Sequence, residues 1–204
     1  MNLKLDSQNI KDYLNSSDVI DYNSLNIKIL AKLLSEGIEN EIEMSKKVYE
    51  YVRDEIAHSG DINSSTVTCN ASNVLEHKHG ICCAKSHLFA AILRYLDIPA
   101  GFCYQWLLSD NNDNLLVIHG LNAIYLKTIK KWIRLDARGN KEGVNAQFSL
   151  DVEKLAWPVR KELGEKDDLI IYSEPKKEVI QVLRSSKDRK ELSKKWINAL
   201  PGLE

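Results

Sequence analysis

The sequence contains no apolar run long enough to span a lipid bilayer. Its first residues, MNLKLDSQNI, lack the basic segment and the following apolar stretch that mark a signal peptide. The formal net charge of −1 includes no excess of positive charge that would attract nucleic acid or an acidic membrane surface. We therefore expect a cytoplasmic protein whose partners include neither nucleic acid nor a membrane.

Internal repeats and low-complexity tracts are also missing, which excludes repeat architectures and compositionally biased linkers. With 204 residues, of which 44% are hydrophobic, the chain is long enough to form an ordinary domain with a substantial core. We expect a single domain over residues 1–204, with a core at about residues 42–172 and helical extensions before and after it.

Helical periodicity dominates the first half of the sequence. Apolar residues recur with helical spacing over positions 25–34 and again over positions 44–56, and we expect the second of these helices to end near Gly60. The segment from Cys82 to Leu96 is apolar on nearly every side and includes three alanines. This composition predicts a buried central helix.

The pattern changes after Pro99. AGFCYQWLLS, LLVIHGLNAIYL and WIRLDARGN are rich in apolar and aromatic residues and are separated by polar turns, which predicts three antiparallel strands. NAQFSL and LIIYSEP are weaker strand candidates, and the remaining residues return to a helical pattern. Helices that precede and follow an antiparallel sheet, rather than alternate with its strands, indicate an α+β fold.

Two adjacent cysteines, Cys82 and Cys83, stand at the predicted start of the buried helix, shortly after Gly80. A cysteine attacks a carbonyl group as the thiolate, and the free N–H groups and positive dipole end at a helix start lower the pKa of a thiol. Consecutive helical side chains point in different directions, so only one of the two thiols faces a given cleft. The alternative is that both are small core residues, because free cysteine is often buried.

A thiolate nucleophile also needs a base, usually histidine, and a group that orients that histidine. His119 lies near the start of the second predicted strand, and Asp136 lies at the end of the third. If the chain reverses between Lys127 and Ile129, antiparallel pairing brings these two side chains to the same end of the hairpin. The alternative is that both are ordinary polar residues at strand ends.

A zinc site is a second kind of site to consider. His77 and His79 lie close in sequence to Cys82 and Cys83, and Cys69 precedes them. Their spacing matches no tetrahedral zinc pattern, and the sequence contains no Cys-x-x-Cys pair. We therefore predict neither a metal ion nor a cofactor.

GICCAKSHLFAAILRYLDIPAGFC, HGLNAIYL and WIRLDARGN, in this order, resemble the core of the transglutaminase-like superfamily. That family shows a Gly-x-Cys that opens a helix, a His that begins a strand, and a Trp-containing strand that ends in Asp. GFCYQ, HGLNA and DARGN are also similar to a group of bacterial transglutaminase-like proteins described as predicted cysteine proteases. The resemblance covers about residues 48–140, and three ordered motifs are far more specific than one.

The resemblance implies a papain-like core in which the helix carrying the nucleophile packs on the sheet. It places the nucleophile at Cys82, the base at His119 and the orienting acid at Asp136, which are the residues chosen above. Two motifs depart from the family pattern. This sequence has HGL where the family commonly has HAW, and Cys83 follows the nucleophile where a polar residue is common.

The expected function is thiol-dependent acyl transfer through a thioester, with hydrolysis of a peptide or protein substrate by a cysteine peptidase or amidase as the first choice. No D-x-D-x-D-G calcium loop is present, which favours metal-independent hydrolysis over cross-linking. The alternatives are a transamidating transglutaminase and a non-catalytic protein-binding module of the same fold. The candidates for oxyanion and substrate contacts are Cys83, Gln105, Asn70, His58, Tyr104 and Trp106, together with Trp132 and Trp157.

Overall fold

The structure, a computed structural model, describes residues 3–109 and 112–198. Within these ranges, the helices are α1 (Leu25–Ser35), α2 (Glu41–Glu55), α3 (Ala71–His77), α4 (Cys82–Tyr95), α5 (Lys177–Ser185) and α6 (Arg189–Asn198). The strands are β1 (Lys4–Leu5), β2 (Ala57–His58), β3 (His79–Gly80), β4 (Ala100–Ser109), β5 (Asn112–Leu126), β6 (Lys131–Leu135) and β7 (Lys166–Tyr172). The order confirms the predicted α+β class. No helix in the described ranges combines the length and apolar character needed to cross a bilayer.

Helices α1 and α2 form where helical spacing predicted them. Ser24 precedes α1, and Gly37 follows it with a φ of +70°, a conformation that glycine adopts without strain. The side chain of Asn40 caps α2 by accepting hydrogen bonds from the N–H groups of Ile42 and Glu43. Both helices pack against α4, but α1 buries only Ile27, Leu30, Ala31 and Leu34, whereas its other apolar residues, Leu25, Ile29 and Leu33, are exposed.

Helix α2 ends earlier than the sequence predicted. It ends at Glu55 rather than near Gly60, because Ala57 and His58 pair in parallel with β3. The N–H group of Ala57 donates to the carbonyl oxygen of Lys78 at 2.9 Å, which ties the two short strands together. His58 therefore lies on a strand beside the segment that leads into α4.

Helix α4 is the buried helix that the sequence predicted, since every residue from Cys82 to Arg94 is buried. Helices α1, α2 and α3 and strands β4 and β5 all pack against it. A buried cation in α4 is compensated by backbone oxygens: the ammonium group of Lys85 donates to the carbonyls of Arg53 and Ile56 near the end of α2. This contact fixes α4 against α2.

The four longer strands and the two-residue β1 form a five-stranded sheet in the order β1-β7-β4-β5-β6 within the described residues. The three strands β4, β5 and β6 form the predicted antiparallel meander, and most of LIIYSEP lies in β7, which is antiparallel to β4. Strand β1 pairs in parallel with β7, so the sheet is mixed rather than purely antiparallel. The sequence did not predict β1, which pairs through Lys4 with Ile170 and through Leu5 with Ile171.

The NAQFSL prediction is wrong, because residues 145–150 form no strand. The backbone of Ala146 is instead satisfied by one side chain: its N–H group donates to Oδ1 of Asn140 at 2.7 Å, and its carbonyl accepts from Nδ2 at 3.2 Å. The surrounding irregular segment packs beside the sheet, where Arg134 pairs with Glu153. It covers the end of β6, just beyond which Asp136 lies.

Candidate active site

Cys82 is the first residue of α4. The first hydrogen bond of the helix runs from the N–H group of Lys85 to the carbonyl of Ile81 at 2.9 Å. The N–H groups of Cys82, Cys83 and Ala84 precede that bond and have no partner within the helix. Together with the positive end of the helix dipole, they favour negative charge on the Cys82 sulfur or on an oxygen beside it.

His119 and Asp136 meet at the end of the β5–β6 hairpin. The last strand pair joins Asn122 to Leu135, so both side chains lie just beyond it, as the predicted register requires. Nε2 of His119 lies 2.8 Å from Oδ2 of Asp136, and both side chains are buried. Nδ1 is then the ring nitrogen available to Cys82, whose sulfur lies 3.5 Å from the N–H group of the next residue, Gly120. The structure thus brings the three predicted residues together.

The carboxylate of Asp136 is held by backbone groups as well as by the imidazole. Oδ2 accepts a hydrogen bond from the N–H group of Ala156 at 3.0 Å, and Oδ1 accepts one from Arg138 at 3.1 Å. Burial would raise the pKa of this carboxyl group, but the charge of His119 and these hydrogen bonds lower it. Asp136 is therefore an ionised and fixed partner for the imidazole.

The pKa values of Cys82 and His119 move in opposite directions. A hydrogen bond from Cys83 is the largest cause that lowers the pKa of the Cys82 thiol well below its usual value, and the charge of His119 adds to it against the effect of burial. Burial lowers the pKa of His119, but the charges of Asp136 and Cys82 outweigh burial and raise that pKa to about 10. The site therefore favours a thiolate beside an imidazolium.

A second imidazole, that of His58, adds to the low pKa of the Cys82 thiol. Its Nδ1 is buried without a hydrogen-bond partner among the described residues and lies 3.8 Å from Oδ1 of Asp61. Two histidines from different elements, β2 and β5, thus flank the sulfur.

Arg138 connects the two sides of the site. Its guanidinium group binds the carboxylate of Asp61 through two hydrogen bonds of 2.5 and 2.8 Å. The same group lies over the ring of Trp157, 5.2 Å from its centroid. Trp157 in turn contacts His119 at 5.2 Å between ring centroids, with an interplanar angle of 87°. These contacts join the loop after His58 to the segment after β6 and shield the imidazole of His119.

Of the other polar candidates, Gln105 lies opposite His119 in the sheet, whereas Asn70 lies at the start of α3. Gln105 pairs with His119 across β4 and β5 and is buried, and its Oε1 has no hydrogen-bond partner among the described residues. Asn70 precedes α3 as its N-cap residue, and no hydrogen bond joins it to Cys82 within the described ranges. Gln105 therefore belongs to the surroundings of the imidazole, whereas Asn70 belongs to the start of a neighbouring helix.

Most of the aromatic candidates lie away from His119. Tyr104 and Trp106 belong to the main core, and the ammonium group of Lys176 lies 5.4 and 5.0 Å from the centroids of their rings. Trp132 packs against Tyr13, with 4.8 Å between the ring centroids. Of the aromatic residues that the sequence singled out, Trp157 is the one that touches the imidazole.

The histidines of the alternative zinc site have other partners. Nδ1 of His79 is hydrogen-bonded to the hydroxyl of Ser59 at 2.9 Å, and Nε2 is hydrogen-bonded to that of Ser64 at 3.0 Å. His77 is exposed, and its Nδ1 bonds to the backbone carbonyl of Asn73 at 3.0 Å. No group of three or more His, Cys, Asp or Glu side chains suited to a metal ion occurs within residues 3–109 and 112–198.

Sequence reasoning missed several contacts of the three residues. The N–H group of Gly120 lies 3.5 Å from the Cys82 sulfur, and that of Ala156 binds Asp136. The contact of Arg138 with Asp136 had a local signal, because an Asp side chain often accepts from the N–H group two residues later. The other two contacts had none, because they join segments that are distant in sequence.

The fold and the site define an α+β protein with buried cysteine, histidine and aspartate side chains where a central helix meets a sheet. The family model for the transglutaminase-like superfamily matches residues 28–137, more than half of the chain. The protein therefore belongs to the transglutaminase-like superfamily. The curated proteins include no match to it.

Solved structures match this chain at low sequence identity. A proposed cysteine protease from Cytophaga hutchinsonii has a TM-score of 0.53 and 22% identity, and the match covers 65% of this chain and 43% of that one. The periplasmic domain of TgpA from Pseudomonas aeruginosa has a TM-score of 0.47 and 15% identity over 61% of this chain and 45% of that one. This chain therefore spans less than half the length of either protein.

Proposed function

We propose that this protein is a cysteine peptidase or amidase that hydrolyses peptide or carboxamide bonds through a thioester on Cys82. One observation carries the proposal: the Cys82 sulfur at a helix start lies 3.5 Å from the N–H group of Gly120, the residue that follows His119, and Nε2 of His119 lies 2.8 Å from Asp136. This is the arrangement that activates a thiol nucleophile, with a base in contact with it and an acid that orients the base. Membership of the transglutaminase-like superfamily supports the same chemistry.

The proposed reaction has two steps. His119 takes the proton of Cys82, Asp136 stabilises the imidazolium, and the thiolate attacks the carbonyl carbon. The imidazolium then protonates the leaving amine or ammonia as the C–N bond breaks, which leaves a thioester on Cys82. In the second step His119 deprotonates a water molecule that attacks the thioester, and the carboxylic acid product and the free thiol are released.

The tetrahedral oxyanion needs at least two donors. The N–H groups at the start of α4, those of Cys82 and Cys83, provide one side of such a site. His58, which lowers the pKa of the Cys82 thiol, is the best-placed side chain for the other side. We expect His58→Gln to lower kcat about 100-fold or more, because an oxyanion donor acts in the transition state. In the same variant, the rate at which a small alkylating reagent labels Cys82 at about pH 9 should fall much less than kcat does.

Thiol reactivity tests the proposal without a known substrate. Near pH 7, iodoacetamide should alkylate Cys82 about tenfold faster than it alkylates free cysteine, and His119→Ala should remove most of that advantage. Cys69 is an internal control, because burial raises the pKa of its thiol to about 11. Peptide mass spectrometry assigns the labelled residue. Alkylation of Cys82 at the rate of free cysteine would contradict the proposal.

A substrate screen tests the reaction type. The wild-type protein and Cys82→Ala are incubated with a library of peptides and side-chain amides, with and without a primary amine. Hydrolysis by the wild type alone supports the proposal. Incorporation of the amine in place of hydrolysis would indicate a transamidating enzyme. No product, together with slow alkylation of Cys82, would indicate a binding module.

A further inference from the structure

Gly120 follows His119 on β5 and lies directly against the start of α4. Its N–H group lies 3.5 Å from the sulfur of Cys82, to which it donates a hydrogen bond. A Cβ atom at position 120 would lie 2.5 Å from the sulfur of Cys83 and 3.0 Å from the Cα of the same residue. Contacts under 3.0 Å are essentially never made by real Cβ atoms. The absence of a side chain at Gly120 therefore leaves the space that the Cys83 thiol occupies.

The Cys83 thiol lies beside this contact. Cys83 is almost completely buried, and its sulfur packs against Gly120, whose N–H group donates to the Cys82 sulfur. Cys83 lowers the pKa of the Cys82 thiol, while burial and the charge of Cys82 raise the pKa of Cys83 well above its usual value. Cys83 therefore remains a thiol with a proton to donate, while Cys82 is the one that ionises.

Both residues in this contact belong to motifs that depart from the common family pattern. HGL differs from the common HAW at Gly120 and Leu121, and Cys83 replaces the polar residue that often follows the nucleophile. The departures lie on different elements, yet their atoms are in contact. A side chain at position 120 would force the Cys83 sulfur to move, so each residue depends on the other.

We propose that Gly120 and Cys83 form a complementary pair of positioning residues that hold the Cys82 sulfur with one N–H and one S–H donor. The donors approach from β5 and from α4, so together they stabilise negative charge on the sulfur and fix it beside His119. The proposal rests on the proposed function of Cys82 as the nucleophile. It adds that this nucleophile is activated by a neighbouring thiol as well as by an imidazole.

Titratable groups other than Cys83 also lie near the Cys82 sulfur. His119 faces it from β5 and His58 from β2, with Asp136 behind the first imidazole and Asp61 behind the second. A substitution at position 83 leaves all four in place. A change in the pKa of Cys82 in such a variant therefore reports the donor that was removed.

The first test compares Cys83→Ala with Cys83→Ser by the pH dependence of iodoacetamide labelling at Cys82, with Cys82→Ala as the background. Loss of a hydrogen bond to a charged group should raise the pKa of Cys82 by about one unit in Cys83→Ala, so that about tenfold less thiolate is present below that pKa. Cys83→Ser keeps a donor and should retain the wild-type value. The same pKa in Cys83→Ala and the wild type would overturn the proposal.

The second test is a double-mutant cycle on thermal stability. Gly120→Ala should lower Tm by roughly 5 °C because it overpacks the contact with Cys83. Adding Cys83→Ala removes the 2.5 Å contact and leaves contacts of 3.0 and 3.2 Å, so part of the loss should be recovered. Additive losses would contradict the pairing. If Gly120→Ala does not fold, folding of the double variant counts as recovery, and its failure to fold counts against the proposal.

These results can be told apart from failure of the proposed function, because alkylation needs no turnover. A low pKa of Cys82 that depends on Cys83, in a protein that hydrolyses no amide, would keep the pair and end the hydrolase proposal. Amide hydrolysis with no effect of Cys83→Ala on the pKa of Cys82 would end the pair alone.

Discussion

Two buried histidines, His119 on β5 and His87 on α4, differ in protonation although their burial is similar. The shortest hydrogen bond of each is 2.8 Å long, from Nε2 of His119 to the carboxylate of Asp136 and from Nδ1 of His87 to the backbone carbonyl of Cys69. The pKa of His119 is raised to about 10, whereas burial lowers that of His87 to about 4. The charge of the partner, rather than burial or hydrogen-bond length, decides whether a buried imidazole carries a proton.

An aromatic neighbour does not explain the difference, because both histidines have one. Trp157 contacts His119 edge-on at 5.2 Å between centroids, and Phe102 contacts His87 in the same way at 5.8 Å. The contrast therefore separates a histidine suited to proton transfer from one that joins α4 to the segment before α3. Three variants test it, from the largest expected effect to the smallest.

The largest effect is expected for Asp136→Asn, which removes the charge but keeps the size of the side chain. Under the proposed mechanism, hydrolysis should fall about 10³- to 10⁴-fold, because the imidazole loses both its preferred tautomer and the stabilisation of its charge. The measurement is kcat/KM on a substrate from the screen, with circular dichroism as a check of the fold. A loss smaller than tenfold would show that His119 does not need a charged partner.

A smaller effect, on stability, is expected at His87. Its folded-state pKa lies below the unfolded value of 6.5, so the unfolded state binds more protons between pH 6.5 and 4, and stability is lost as the pH falls through that range. This difference amounts to about 3 kcal/mol. Urea unfolding of His87→Gln should lack that part of the pH dependence.

His77 offers the matched control, because its side chain is exposed rather than buried. His77→Gln should keep the pH dependence of the wild-type protein. If the free energy of unfolding changes with pH equally in His87→Gln and the wild type between pH 4 and 6.5, His87 is protonated in the folded state. The contrast with His119 would then be lost.

The smallest effect is expected for Trp157→Leu, which removes the ring beside His119 but leaves the charge of Asp136. An aromatic contact of this kind contributes about 1 kcal/mol, so hydrolysis should change only a few-fold. The pKa of His119, followed by NMR of the imidazole, should remain far above that of His87. A fall of the His119 pKa to below 6.5 would assign the high pKa to the tryptophan instead.

The sequence predicted those parts of the fold that depend on local spacing. Helix α4 follows from a segment that is apolar on nearly every side, and the β4–β5–β6 meander follows from three apolar segments separated by turns. The end of α2 and the strand pair β1–β7 were not predicted, because Ala57 pairs with His79 and Lys4 pairs with Ile170. Local patterns carry no information about such distant partners.

The same distinction applies to the candidate site. The meeting of His119 with Asp136 was predictable, because the two residues flank one hairpin whose turn sets the register. The approach of His58 to the sulfur, the fit of Gly120 against Cys83 and the contact of Trp157 with the imidazole were not. Each of them joins elements that the fold, rather than a turn, brings together.

The sequence by itself determined the superfamily, a cysteine at the start of a buried helix, and a histidine and an aspartate at one end of a hairpin, because all of these follow from residue type and short spacing. Only the tertiary structure decided which groups around Cys82 lower the pKa of its thiol and which of two buried histidines is charged. The reason is physical: the pKa of a buried group depends on the charges and hydrogen-bond donors around it, and these come from separate elements of the fold.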